Sequence, residues 1–158
     1  MRSRLMAGAA VCSLAAACSS SPEPSPTAPH SQTSSIDLLG TWNGTGVDSM
    51  GTIGLTWALT QTGATVSGTV QMQSLDAAGS CNSCHRTKSG TFSGTISGST
   101  LALTMYFPGN PGELTPACSA TLTGTASNFA TRTFNVAYSG VDSCEPPADN
   151  GSAVMHGQ

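Results

Sequence analysis

The amino-acid sequence predicts an all-β protein whose main domain is an eight-stranded antiparallel up-and-down barrel. Serine, threonine and glycine supply 62 of the 158 residues, a composition typical of strands and turns. Charged residues make up only 8% of the chain and the formal net charge is −3, which argues against a nucleic-acid-binding surface, a coiled coil or an acidic tail. From residue 36 onward, eight runs alternate apolar and polar side chains with a period of two.

Residues 1–17 have the pattern of an export signal. Arg2 and Arg4 precede a largely apolar run from Leu5 to Ala17, which ends in small residues before a cysteine. As a helix this run would extend about 20 Å, less than the roughly 30 Å hydrocarbon core of a bilayer. We therefore expect the segment to be cleaved rather than to span a membrane.

The residues around the cleavage point, Leu14-Ala15-Ala16-Ala17-Cys18, resemble the lipobox of bacterial lipoproteins. The resemblance implies that Cys18 becomes the acylated N-terminus and anchors the protein to the cell membrane or outer membrane. Cleavage would leave three basic residues against eight acidic ones, so attachment would depend on the acyl chains. The alternative is an ordinary secretory signal cleaved nearby.

Residues 18–35 comprise Cys18 and a predicted disordered tether. Seven serines and four prolines fill positions 19–35 without an apolar period, so this stretch cannot bury enough surface to fold. His30 belongs to it and is interpreted as a solvated linker residue.

The barrel domain is assigned to residues 36–158. Its eight predicted strands cover approximately residues 38–46, 52–61, 64–73, 89–97, 100–107, 117–126, 131–139 and 151–157. In each run one face is apolar and the other is mainly serine and threonine. A closed barrel removes exposed sheet edges and fits sequential antiparallel strands, whereas a β-sandwich is the alternative.

The connections are predicted to differ in length at the two ends of the barrel. Tight turns are expected near residues 62–63, 98–99 and 128, and longer links at 47–51, 74–88, 108–116 and 140–150. In an up-and-down barrel alternate connections lie at the same end, so the long links should form an open mouth that faces away from the membrane. Several Gly-Thr pairs put glycine in the inward phase, where it permits strand coiling or close contact with Trp42 or Trp57.

Gly40 and Trp42, at the start of the first strand, form a Gly-x-Trp motif that resembles the first strand of lipocalins and other calycin-like barrels. The resemblance implies a barrel that binds a small apolar ligand, with Trp42 at its floor. Trp42 is alternatively a core ring without a ligand, because small eight-stranded interiors are filled by side chains. The sequence identifies no arginine that covers this tryptophan.

Four cysteines remain after the signal and the anchor: Cys81, Cys84, Cys118 and Cys144. An even number in an exported chain indicates disulfides, with three possible connectivities. Cys118–Cys144 is favoured because it would join neighbouring strand ends, which leaves Cys81–Cys84 as the second pair.

Cys81-Asn82-Ser83-Cys84-His85 also matches the attachment motif of c-type haem. Cys81 and Cys84 would bond the haem and His85 would bind iron, with Met50, Met72 or Met105 as the second axial ligand. The flanking residues lack the helical period of small cytochromes, so a plain structural loop is preferred to haem or to a metal site on the same three residues. We therefore predict no cofactor and no metal.

The sequence contains no Gly-x-Ser-x-Gly elbow, and neither His85 nor His156 is placed to serve a catalytic triad. We expect a non-catalytic, lipid-anchored envelope protein that serves as a binding or structural module through its long-loop end. Its partner would be a small apolar ligand or an envelope protein, not a nucleic acid. The alternatives are a membrane-anchored haem electron carrier and an inhibitor or scaffold that uses the same end.

Overall fold

The computed structural model describes residues 36–76, 87–109 and 118–158, which form eight antiparallel strands. Within these residues, no helix has the length and apolar character needed to cross a membrane. The strands are β1 (Gly40–Asp48), β2 (Gly51–Thr62), β3 (Thr65–Ser74), β4 (Lys88–Ser97), β5 (Thr100–Phe107), β6 (Ala120–Ala130), β7 (Thr133–Asp142) and β8 (Ala148–Gly157).

The sheet closes on itself as an up-and-down barrel in the order β1 to β8. Each strand pairs with the next, and β1 also pairs with β8, with Trp42 opposite Trp57 on one side and Gly157 on the other. This closure confirms the predicted barrel and excludes the sandwich, because the described strands form one closed sheet rather than two facing ones. It also leaves neither β1 nor β8 as an exposed edge.

Alternation along the strands produces a single interior. On β2, Ile53, Leu55, Trp57 and Leu59 are buried, while the residues between them point outward. The inward residues of all eight strands form one apolar cluster. The apolar phases read from the sequence are therefore confirmed.

The two ends of the barrel differ in their connections, and we call them the rim and the base. The rim holds the connections 49–50, 75–87, 108–119 and 143–147, whereas the base holds the two-residue turns 63–64, 98–99 and 131–132. Three predicted long links are confirmed, but the prediction of a long link at 47–51 was wrong. Asp48 Oδ1 accepts a hydrogen bond from Met50 N at 2.8 Å and closes a tight turn, which turns the Met50 side chain into the core.

A β-bulge in β6 displaces the turn that the sequence located near Asn128. The register with β7 shifts between Ser127 and Ala130, and Asn128 has a φ of 56°. The turn itself follows at residues 131–132. The bulge brings Phe129 against Phe134, with 5.1 Å between the ring centroids.

Inward glycines allow close approach, as predicted, but the groups that approach are not the tryptophans. A Cβ on Gly68 would collide with the carbonyl oxygen of Ala58 on the neighbouring strand, and a Cβ on Gly151 would collide with the Tyr138 ring. The first contact is between backbones, and the second makes room for a tyrosine near the rim.

Candidate functional site

A disulfide fastens two neighbouring strands at the rim. Cys118, two residues before β6, is bonded to Cys144, two residues after β7, which confirms the favoured pairing. Between them, Ser143 N donates to Ser119 O at 2.8 Å and Ser119 N donates to Ser143 Oγ at 2.9 Å. The disulfide and these two hydrogen bonds therefore extend the pairing of β6 with β7 past the end of the sheet.

A buried ion pair lies beside the disulfide. Lys88, the first residue of β4, is 1% exposed, and its Nζ donates to Asp142 Oδ2 at the end of β7. Asp142 Oδ1 accepts from Cys144 N at 3.0 Å, so one carboxylate joins the lysine to the disulfide loop. The pair crosses the rim, because β4 and β7 are three strands apart in the barrel order.

The β1–β2 turn is fastened to the β7–β8 connection and to the start of β8. Ser49 N donates to Asp149 O at 3.0 Å, and Ser49 Oγ donates to Pro147 O at 3.0 Å. Tyr138 reaches the same turn from β7, and its hydroxyl donates to Asp48 Oδ2 at 2.9 Å. These contacts make the described part of the rim a rigid support for the two long connections.

Burial and the nearby Asp48 carboxylate raise the pKa of the Tyr138 phenol far above its usual range. The folded protein therefore keeps this proton when the unfolded chain, with a phenol pKa of about 10, releases it. We expect the free energy of unfolding to be unaffected by this group below about pH 10 and to fall as the pH rises further. Urea unfolding across alkaline pH measures this loss.

Tyr138→Phe provides the control for this pH dependence. It removes the titrating group, and it also removes a hydrogen bond to a carboxylate worth about 1.5 to 3 kcal/mol. The variant should be less stable at neutral pH and show a flatter alkaline decline. An unchanged slope would assign the decline to another group.

Removing the Cys118–Cys144 disulfide should lower the free energy of unfolding by about 3 to 4 kcal/mol, because the sequence separation of 26 closes a sizeable loop in the unfolded chain. Denaturant unfolding of the Cys118→Ala/Cys144→Ala variant measures this. Cys81→Ala/Cys84→Ala is the matched control, since those cysteines enclose only two residues and their removal should cost less. Equal losses from the two variants would contradict the loop argument.

Exposed apolar side chains are concentrated at the rim. The described residues expose six large apolar side chains, and four of them lie one residue from a strand end at the rim: Val47, Leu75, Tyr106 and Val141. Val47 and Leu75 flank Thr52 on β2, whereas Tyr106 and Val141 flank Thr121 on β6. We call these two groups the rim patches. They lie on opposite sides of the barrel, because β2 and β6 are four strands apart.

Most of the other predicted site residues lie outside the described residues. This holds for Cys18, for the proposed second disulfide Cys81–Cys84, and for His85. The methionines considered as haem ligands are at the rim as expected, but Met50, Met72 and Met105 are all buried in the core. Among the described residues, one cluster could hold a metal, formed by Cys118, Asp142 and Cys144. The disulfide and the lysine already occupy its ligand atoms.

The predicted floor motif lies at the base. Gly40 begins β1, and the Trp42 ring packs against Phe134 at 4.8 Å while its Nε1 donates to Leu38 O at 2.9 Å. Sequence reasoning missed Arg132, whose guanidinium carbon lies 5.8 Å from the Trp42 ring centroid. No sequence signal indicated this approach, because Arg132 is about 90 residues from Trp42 and lies inside the predicted strand 131–139.

Comparison with known proteins identifies the architecture only. No family model and no curated protein matches the chain. The barrel is similar to the structure of EF1p2_mFAP2b bound to DFHBI, with a TM-score of 0.56 and 18% identity, a match covering 77% of this chain and 94% of that one.

Two further barrels give the same result. The redesigned β-barrel mFAP1 bound to DFHBI matches with a TM-score of 0.52 and 18% identity, covering 75% of this chain and 94% of that one. A de novo designed fluorescence-activating β-barrel matches with a TM-score of 0.51 and 18% identity, covering 76% of this chain and 93% of that one. These likenesses show the fold alone.

Proposed function

We propose that the protein is a lipid-anchored, non-catalytic component of a bacterial cell envelope, held at the cell membrane or outer membrane, whose rim patches bind another envelope protein. One observation carries the proposal: four of the six large apolar side chains that the described residues expose lie at the same end of the barrel. Isolated exposed apolar residues are common on protein surfaces, whereas apolar residues grouped around one strand, as in each rim patch, are typical of interaction sites.

The rim is suited to recognition because its strand ends are held in place by several contacts and the longest connections begin there. The disulfide, the Lys88–Asp142 pair and the Ser49 hydrogen bonds hold the strand ends in place. The two longest connections, 75–87 and 108–119, leave from this support. Binding residues are found disproportionately on loops carried by such scaffolds.

The packing of the interior favours a surface partner over a small ligand inside the barrel. Trp57 contacts Phe92 at 4.8 Å and Phe134 at 5.9 Å between ring centroids, and Trp42 adds a further contact to Phe134. An eight-stranded interior is just wide enough to be filled by such side chains. EF1p2_mFAP2b and mFAP1 were bound to DFHBI, and titration of this protein with DFHBI is a direct check. Saturable fluorescence activation would favour the interior instead.

Site-specific photo-crosslinking in cells tests the rim partner. A photoreactive amino acid replaces Leu75 or Val141 in the full chain, one in each rim patch. Thr60 and Asn135 are matched controls, since both are exposed on strands of the same barrel but far from the rim. We expect a discrete adduct from both rim positions and none from the controls. Adducts of equal yield at all four positions, or at none, would reject the rim as the binding surface.

Native mass spectrometry of the detergent-extracted protein tests the anchor and the haem alternative together. Acyl mass on Cys18, with loss of membrane attachment in Cys18→Ala, is the result expected for a lipoprotein. The Cys81-x-x-Cys84-His85 motif favours the second candidate, a membrane-anchored c-type haem protein. A haem mass and a Soret absorption band would establish that function, and their absence would leave the binding module.

A further inference from the structure

The base of the barrel carries a cleft that the proposed rim function does not use. Its volume is about 810 Å³, within the range typical of small-molecule sites. Ile36, Leu39, Trp42 and Phe129 supply its apolar wall, and Arg132 supplies its cation. Leu39 is 63% exposed, so an apolar side chain stands open at the edge of the cleft. We call this depression the base cleft.

Residues 36–39, which directly precede β1, form one wall of the base cleft. Leu38 is fully buried, its N donates to Gln61 Oε1 at 2.8 Å, and its O accepts from Trp42 Nε1. Gln61 Nε2 donates in turn to Ile36 O at 2.9 Å. The segment is therefore held by hydrogen bonds on both sides of Leu38, and Leu39 is exposed because of this arrangement.

Arg132 has a backbone conformation that usually favours glycine. The other two turns at the base place glycine at a positive φ, Gly63 and Gly98, both at 58°. The third turn places Arg132 at 56°. A long side chain is disfavoured there by about 1 to 2 kcal/mol, and such outliers are frequent at functional sites.

The Arg132 side chain lies between the Trp42 ring and Gly157. Its guanidinium carbon lies 5.8 Å from the Trp42 ring centroid, and a Cβ on Gly157 would lie only 2.9 to 3.1 Å from guanidinium atoms. Gly157 thus makes room for the guanidinium. Across residues 36–76, 87–109 and 118–158, no carboxylate forms an ion pair with Arg132. The Asp37 carboxylate is in the lining and accepts from Leu39 N at 3.0 Å.

We propose that the base cleft binds a single-chain amphiphile with an oxyanion head, a carboxylate or a phosphate. The planar guanidinium presents paired donors that match either head group. The Leu39, Ile36 and Phe129 side chains accept the hydrocarbon chain beside the Trp42 ring, which is only 4% exposed. Ser99 and Thr131, also in the lining, supply hydroxyl donors for the head group, whereas the Thr100 hydroxyl donates to Ser97 O at 3.0 Å. A neutral or cationic head would lack the guanidinium contact that distinguishes this cleft.

Quenching of Trp42 fluorescence measures this binding directly. The chain has two tryptophans, so Trp57→Phe leaves Trp42 as the single reporter at the cleft. The full chain also carries Cys18→Ala, so that no acyl chain of its own competes. The probes are ω-bromodecanoate, ω-bromodecyl phosphate and ω-bromodecanol below their micelle concentrations. We expect saturable quenching by one or both anions and much weaker quenching by the alcohol.

Variants at Arg132 separate the head-group contact from general apolar adsorption. Arg132→Gln should weaken anion binding about tenfold or more, while alcohol binding is unchanged. Arg132→Gly should lose binding equally and keep the fold, because glycine is favoured at this φ. Arg86→Gln, which makes the same charge change in the β3–β4 connection, should bind like the parent. Comparison of the two dissociation constants at neutral pH identifies the preferred head group. On acidification, decanoate binding should be lost before phosphate binding, because the carboxylate becomes neutral at a higher pH than the phosphate monoester does.

The proposal is overturned if the alcohol quenches as strongly as the anions, if Arg132→Gln binds like the parent, or if no probe quenches Trp42. The measurement uses purified protein without an anchor or a rim partner. Failure of the rim crosslinks or of the lipoprotein assignment therefore leaves this result interpretable by itself.

Discussion

Asp142→Asn should lower the free energy of unfolding by about 3 to 5 kcal/mol, because it leaves the buried Lys88 ammonium without its counter-charge. Lys88 is 1% exposed and the Asp142 side chain is 10% exposed, so water replaces little of the lost interaction. Denaturant unfolding measures the change. High salt should not reproduce it, since ions screen buried pairs much less than exposed ones.

A double-mutant cycle separates the ion pair from the loss of either side chain. Lys88→Met should cost less than Asp142→Asn, because the remaining carboxylate keeps the hydrogen bond from Cys144 N and some exposure. Lys88→Met/Asp142→Asn should recover much of the loss, since no unpaired charge remains buried. Asp76→Asn is the control at the same rim, where the carboxylate accepts from Thr52 N and pairs with no buried lysine among the described residues. A loss below about 1 kcal/mol for Asp142→Asn would show that solvent reaches Lys88.

The barrel was predictable because its signal is repeated along the chain. Each strand alternates apolar and polar residues, and a register error in one strand would expose its whole apolar set. Strand order then follows from the short connections. The turn at Ser49 and Met50 was missed because Asp48, Ser49 and Gly51 look like a polar loop. The link is short because Met50 N donates a hydrogen bond to the Asp48 carboxylate, and this bond depends on one side chain.

The contacts that define the two ends were less accessible to sequence reasoning. Lys88 and Asp142 were assigned to long links, whereas both are terminal residues of strands. Their pairing depends on how far β4 and β7 extend, which tertiary contacts decide. The approach of Arg132 to Trp42 depends likewise on the bulge in β6, because that bulge sets where the β6–β7 turn falls.

The rim patches left a detectable but unused signal. Val47, Tyr106 and Val141 are apolar residues in the outward phase of strands that otherwise present mainly polar side chains to solvent. Val47 and Val141 were assigned to the links 47–51 and 140–150, and only Tyr106 lay within a predicted strand, so a search for core periodicity passed over all three. These three residues depart from the mainly polar outward faces of their strands, and they are three of the four exposed apolar residues at the rim.

Trp57→Ala should lower the free energy of unfolding by about 4 to 5 kcal/mol, at the upper end for loss of a large core side chain. Trp57 is fully buried and contacts Phe92 and Phe134, so its removal leaves a cavity between rings that the closed sheet cannot collapse. Chemical denaturation measures the loss. A value near 1 kcal/mol would mean that the barrel repacks around the gap.

Trp57→Phe and Trp42→Phe make the same substitution at residues paired across β1 and β2, yet their costs should differ. Among the described residues, Trp57 Nε1 has no hydrogen-bond acceptor, so phenylalanine removes a buried donor that was unsatisfied at a cost of about 1 to 3 kcal/mol. Relief of that cost offsets the smaller ring, and we expect a change within about 1 kcal/mol. Trp42 Nε1 donates to Leu38 O, so Trp42→Phe breaks a buried bond and leaves the carbonyl unpaired. If Trp57→Phe is as costly as Trp42→Phe, the indole nitrogen of Trp57 has a partner in solution, and the interior is more polar than its side chains indicate.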